Sequence, residues 1–115
     1  MHLSFATDFV PLLMLDDMSD FRDRAKRYHQ AIHDILIKEW DPIGVGDVPE
    51  AQDEYDSYVP GVYKHLIHRS PERDLFEYLW QIETEHMGLH GNRGHTEKIT
   101  RRLMSLIGEL EGGNI

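Results

Sequence analysis

The sequence predicts an all-α fold, a small bundle of about four helices, on three observations. Apolar residues recur at three- and four-residue steps along most of the chain. Proline and glycine fall between those periodic stretches. No comparable run of alternating apolar and polar residues marks a strand.

Residues 1–18 precede the first clear periodicity. They hold the apolar run Phe9 to Leu15, broken by Pro11 and flanked by Asp8, Asp16 and Asp17. With no basic opening and far fewer than the ~20 apolar residues of a spanning helix, it reads as an N-terminal arm or short element, not a signal peptide or membrane span. The helical domain is expected over residues 19–111.

The first long helix is expected from about Ser19 to Glu39, with Phe21, Ala25, Tyr28, Ile32, Ile35 and Leu36 on one stripe and Ser19 or Asp20 as its cap. Trp40-Asp41-Pro42-Ile43-Gly44-Val45-Gly46 ends it. A second helical region is expected from about Pro49 to His68, carrying Tyr55, Val59, Val62 and Leu66. Pro60 breaks or kinks it, because proline has no N–H and clashes with the preceding turn. Ser70-Pro71-Glu72 opens a third helix, with serine as the expected N-cap and proline at the first helical position. Leu75, Phe76, Leu79, Trp80, Ile82 and Met87 give it a broad apolar face ending near Gly88. Thr96 is the expected cap of the last helix, in which Ile99, Leu103, Leu106, Ile107 and Leu110 repeat before Gly112-Gly113.

Composition then limits function. At 115 residues, with 40% apolar and 29% charged residues, the chain suits one globular domain. It contains no cysteine, so disulfides, thiolate zinc sites and cysteine nucleophiles are excluded, and a cytoplasmic location is expected. Twelve basic against twenty-one acidic residues give a formal charge of −9, which repels phosphate backbones and argues against nucleic acid as a partner.

Charge asymmetry is sharpest between Glu39 and Tyr63, a stretch with no Lys or Arg. There Asp41, Asp47, Glu50, Asp53, Glu54 and Asp56 accumulate beside Trp40, Tyr55 and Tyr58. Aromatic residues bring rigid contact area and concentrated carboxylates steer a basic partner, so Trp40, Asp41, Asp53, Glu54, Tyr55, Asp56 and Tyr58 are the expected partner-binding residues. The plainer alternative is a core role for the aromatics and solvated acids.

A second candidate is Glu83/His86, a Glu-x-x-His on the apolar side of the third helix and the spacing used by carboxylate metal sites in bundles, with His90 as a further ligand. Such a site would take zinc or iron and activate water, although the motif occurs once where ferritin-like sites use two copies. An ordinary helix-end ion pair or hydrogen bond is the alternative. His29/His33 continue a positive stripe with Arg22 and Lys26, and His65/His68 sit near a helix end. Arg93, Lys98, Arg101 and Arg102 form a small basic patch that balances the acids. No cofactor is expected: phosphate-binding glycine loops, nucleophile elbows and calcium-type loops are missing from the sequence.

The motifs Trp40-Asp-Pro-Ile-Gly-Val-Gly46 and Asp53-Glu-Tyr-Asp-Ser-Tyr-Val-Pro60 resemble those of a family of small bacterial proteins of uncharacterised function, over roughly Tyr28 to Leu89. The resemblance implies an all-α fold and no particular substrate. In general chemistry the acid-and-tyrosine surface is also similar to that of small immunity proteins that neutralise basic nuclease toxins. A non-enzymatic interaction module, in its narrower form an immunity-type inhibitor of a basic protein, and a metal-dependent bundle enzyme are therefore the two expectations, with a homodimer as a third.

Overall fold

The structure, a computed structural model, describes residues 21–111. The expected arm at 1–18 and the Ser19/Asp20 cap lie outside that range. Within it the fold is all-α, with four α-helices and no strand among the described residues.

Helix α1 covers residues 21–35 and continues into a wider π turn, Leu36–Trp40. The extra residue in that turn is closed by the Asp41 amide donating to the Leu36 carbonyl at 2.9 Å. Tyr28, Ile32, Ile35, Leu36, Ile37 and Trp40 are all buried, so the end of the helix is apolar on more than one stripe. Phe21, expected on that stripe, is instead 63% exposed.

The region after α1 corrects the expected boundaries. Residues 49–58 form no α-helix; they hold two short 3-10 turns, Pro49–Ala51 and Asp56–Tyr58. Helix α2 starts only at Val59 and runs to Ile67, with Pro60 in its first turn. There the missing proline N–H costs nothing, since first-turn amides have no intrahelical acceptor. The break expected at Pro60 is thus a fresh start immediately before it.

Helix α3, Glu72–Gln81, also ends in a π turn, Ile82–His86, closed by Met87 N–H to the Ile82 carbonyl at 2.8 Å. Its N-cap is Pro71, not Ser70, and no side chain caps it; Ser70 instead donates its N–H to the His65 carbonyl at the end of α2. Helix α4, Arg93–Glu111, begins three residues before the expected Thr96 cap. Asn92 does the capping, its Oδ1 accepting the His95 N–H at 3.1 Å, while Thr96 is buried within the first turn.

Cross-helix pairs give the bundle an up-down-up-down course. Tyr63 of α2 packs at a tilt against Tyr28 of α1, while Asp56 just before α2 meets His33, so these helices run antiparallel. Tyr78 of α3 meets His65 near the end of α2, whereas His86 meets Tyr58 at its start. Helix α4 returns along α1: Glu111 accepts the Tyr28 hydroxyl and pairs with Arg24, Arg102 pairs with Glu39, and His95 reaches the Trp40 carbonyl. Burial and the Glu111 hydrogen bond push the Tyr28 hydroxyl up to about 12. Val62, Leu66, Leu75, Leu79, Ile99, Leu103 and Leu106 fill the space between the helices.

The loop joining α3 to α4 turns on two glycines in the left-handed region, Gly88 at φ 70 and Gly91 at φ 83. A Cβ on Gly88 would meet open space, but one on Gly91 would lie 2.7 Å from the Trp80 ring and 2.9 Å from Thr84 Cγ2. Gly88→Ala is therefore expected to cost about 1–2 kcal/mol from backbone strain alone. Gly91→Ala adds an overpacking cost of about 1–3 kcal/mol. Urea unfolding of the two variants checks the order; equal losses would contradict it.

Candidate functional site

The acid-rich segment divides into an inner and an outer set of residues. Trp40 and Tyr55 are 2% and 1% exposed, with ring centroids 5.5 Å apart, so these two expected contact residues belong to the core. Aromatic area of that size is better buried against neighbours than left in water.

Asp41 follows Trp40 with φ 36, a left-handed residue that turns the chain out of the helix. Its carboxylate points back into the loop: Oδ1 accepts the Val45 amide at 2.8 Å and the Tyr55 hydroxyl at 2.7 Å, and Oδ2 accepts the Gly46 amide at 2.9 Å. The Tyr55 oxygen in turn accepts the Ile43 amide at 3.2 Å. Gly46 is required here, because a Cβ would lie 2.7 Å from the Ile37 carbonyl oxygen. Gln52 closes the loop further on, donating to the carbonyls of Gly46 and Val48. Asp41, partly buried, therefore acts as an internal clamp of the loop.

What the clamp leaves outside is acidic. Asp47, Glu50, Asp53, Glu54 and Asp56 are exposed, and the same loop exposes Ile43 (41%) and Val48 (40%). Asp56 pairs with His33 at 2.6 Å. No ion pair among the described residues involves Asp47, Glu50, Asp53 or Glu54. Elsewhere several acids are matched, Glu39 and Glu109 with Arg102, Glu72 with Arg101 and Glu97 with Arg93, while Asp23, Asp34, Glu77 and Glu85 enter no ion pair among the described residues. The basic patch on α4 thus balances neighbouring acids, and the Arg93 guanidinium also lies over Phe76 at 4.7 Å. Tyr58, half-buried, packs edge-on to Trp40 and His86.

Glu83 and His86 are not brought together. Glu83 is 4% exposed and its carboxylate serves the start of α4: Oε1 accepts the Thr96 hydroxyl at 2.6 Å and lies 3.4 Å from the Trp40 indole nitrogen, and Oε2 accepts the Asn92 amide at 2.9 Å. A negative group at a helix N-terminus meets the unsatisfied amides there. His86 turns outward against Tyr58, and His90 is exposed. Three donors already occupy the one buried carboxylate of the expected set. Among the described residues no group of three or more His, Asp or Glu converges on a position for a metal ion.

The remaining histidines have separate surroundings. His29 meets Tyr63 and, with His33, Arg22 and Lys26, lines an open groove of about 790 Å³ between α1 and the start of α2. His65 packs against Tyr78, and His68 is exposed at the end of α2. A smaller cleft of about 390 Å³ lies between Tyr58 and the end of α3. Sequence reading missed both π turns and the roles of Asp41 and Glu83. Asp41 just ahead of Gly44-Val45-Gly46 was the one signal of the clamp in the sequence; the Glu83 arrangement joins residues too distant in sequence to leave any.

No family model, curated protein or solved structure shows a significant match to the chain. The two motifs resembling small bacterial helical proteins therefore carry no activity or site residue across.

Burial alone would raise the Asp41 carboxyl, but the hydrogen bonds from Tyr55 and from the amides of Val45, Gly46 and Gly44 outweigh it and hold it below the ordinary carboxylate range. Its folded value lies under its unfolded one, so it stabilises the fold above the unfolded value and that contribution is lost as pH falls through the folded value. Asp41→Ala is expected to cost about 1–3 kcal/mol at neutral pH. The difference from the unsubstituted protein should shrink on acidification, as read by urea unfolding at a series of pH values. A pH-independent difference would contradict the assignment. Glu83→Ala, which strands the buried Thr96 hydroxyl and Asn92 amide, is expected to cost about 2–4 kcal/mol at neutral pH by the same measurement. A loss under about 0.5 kcal/mol, typical of surface sites, would contradict it.

Proposed function

We propose that the protein is a non-enzymatic interaction module whose 43–56 loop binds a basic protein. The observation that carries the reading is the loop's concentration of unpaired acids, Asp47, Glu50, Asp53 and Glu54, together with exposed Ile43 and Val48, whereas the other unpaired acids among the described residues are scattered along the helices. Exposed carboxylates with no cation nearby add little to stability and raise electrostatic repulsion in a chain of charge −9. Their useful effect is on a partner: they accelerate encounter with a positive surface and disfavour negative ones. Ile43 and Val48 supply apolar area to be covered on docking.

Preorganisation supports the same reading. A loop already held by Asp41, Tyr55 and Gln52 loses little conformational freedom on binding, so more of the contact energy is retained as affinity. Its narrower form is an immunity-type inhibitor that occupies the basic surface of a nuclease; the acidic loop would then compete with the nuclease's phosphate substrate. Membership of a small bacterial helical family, suggested by the two motifs, belongs to this reading as well and adds no substrate to it.

The test is affinity capture from a native extract of the source cells, using the unsubstituted chain and a variant with Asp47→Asn, Glu50→Gln, Asp53→Asn and Glu54→Gln. These exposed positions should leave stability within about 0.5 kcal/mol. The unsubstituted chain is expected to retain a basic protein at low salt and release it as screening increases, and the variant to bind it at least about tenfold more weakly. Capture that ignores both salt and the four substitutions would overturn the reading. Tyr55→Ala is no substitute for these variants, because it opens the core.

A further inference from the structure

We infer that the cleft between Tyr58 and the end of α3 receives an arginine side chain of the basic partner, an inference that rests on the reading of the acidic loop as the docking surface. The cleft, about 390 Å³, is lined by Tyr58, Tyr78, Gln81, Ile82, Glu85 and His86. No Lys or Arg lines it, and Glu85 takes part in no ion pair among the described residues. Its volume falls near the lower bound of about 300–1,000 Å³ for small-ligand sites, which suits one long side chain better than a cofactor.

The chemistry of the lining selects the occupant. Two tyrosine rings offer aromatic walls to a planar cation, Glu85 offers a carboxylate, and the Gln81 amide and Ile82 complete a rim that is part polar and part apolar. A guanidinium matches this set better than an ammonium: it is flat, less strongly hydrated, stacks on aromatic faces and donates two parallel hydrogen bonds to one carboxylate. An anion would meet Glu85 instead.

Position ties the cleft to the loop. Tyr58, which lines the cleft, closes the 3-10 turn that begins at Asp56 and so follows the loop directly in the chain, although Asp56 itself faces His33 in the groove beside α1. The Tyr78 hydroxyl lies where a Cβ on Gly61 would stand, within reach of the Tyr58 carbonyl, so glycine at that position lets the Tyr78 ring sit against the start of α2 and form one wall. Buried arginine anchors flanked by weaker charged contacts are a common division of labour at protein interfaces.

The test titrates the intact chain with Nα-acetyl-arginine methylamide and follows backbone and ring resonances by NMR. Saturable shifts at Tyr58, Tyr78 and Glu85 are expected, with Nα-acetyl-lysine methylamide binding several-fold more weakly. Glu85→Gln, an exposed substitution, should weaken the arginine response about tenfold, whereas Asp53→Asn with Glu54→Gln should leave it nearly unchanged. Shifts spread over the loop acids without Tyr58 and Tyr78, or an undiminished response in Glu85→Gln, would overturn the inference. Failure of the arginine titration with salt-sensitive capture intact removes the cleft alone. Capture that ignores salt and the four loop substitutions removes the reading on which it rests, whatever the titration shows.

Discussion

The Asp41 carboxylate is the contact on which the acidic loop depends. It sits at the last turn of α1, accepts two loop amides and the Tyr55 hydroxyl, and so converts a stretch without regular α-helix into a fixed surface. Three donors on one carboxylate offset the cost of drawing it partly out of water. Its left-handed backbone is tolerated for the same reason: the strain of a single residue is about 1–2 kcal/mol, comparable to one good charge-assisted hydrogen bond. Without the clamp, Trp40 and Tyr55 would still be apolar enough to bury, but the chain from Ile43 to Gly46 would lose the side-chain contacts that tie it to them, leaving Gln52 and the backbone turn bonds to hold the rest of the loop.

Glu83 plays the corresponding part on the other side of Trp40. Both inward carboxylates adjoin π turns, Asp41 just after the first and Glu83 within the second. In each case the wider turn ends a helix while keeping a large side chain or a carboxylate directed inward, a use in keeping with the frequent placement of such turns at specialised sites. The acids of this chain therefore fall into separate groups by environment. Asp41 and Glu83 are held by donors and organise local structure; several of those on the helices are matched with arginines; in the 43–56 loop Asp56 pairs with His33, while Asp47, Glu50, Asp53 and Glu54 are left to solvent. The four unpaired loop acids fall within one short segment, Asp47 to Glu54, and that concentration directs attention to an external partner.

Much of the architecture was legible from apolar periodicity. Tyr28, Ile32, Ile35, Leu36, Val62, Leu66, Leu75, Leu79, Ile99, Leu103 and Leu106, all read as core from their spacing, are buried. Helix starts were less so. Ser70 and Thr96 have the chemistry of caps, but Pro71 and Asn92 hold those places; the Thr96 hydroxyl goes instead to the Glu83 carboxylate, a contact between elements that no local pattern shows. The stretch Pro49–Tyr58 has helical spacing by coincidence of Tyr55 with Val59; proline near each end and inward pull on Tyr55 make it a series of tight turns. The site was half legible: the charge asymmetry marked the loop, but burial of Trp40 and Tyr55 and the separation of Glu83 from His86 depend on packing between elements far apart in the chain.

The most direct test of the clamp is amide hydrogen exchange across residues 43–56 near neutral pH. If Asp41 and Tyr55 fix the loop as described, the Ile43, Val45 and Gly46 amides should exchange at least ~100-fold more slowly than the Asp47 amide beside them, and Tyr55→Phe should release Ile43 first. Exchange of Val45 and Gly46 at the rate of Asp47 would contradict the account, since a loop free to open at no cost could not present its acids as a preformed surface.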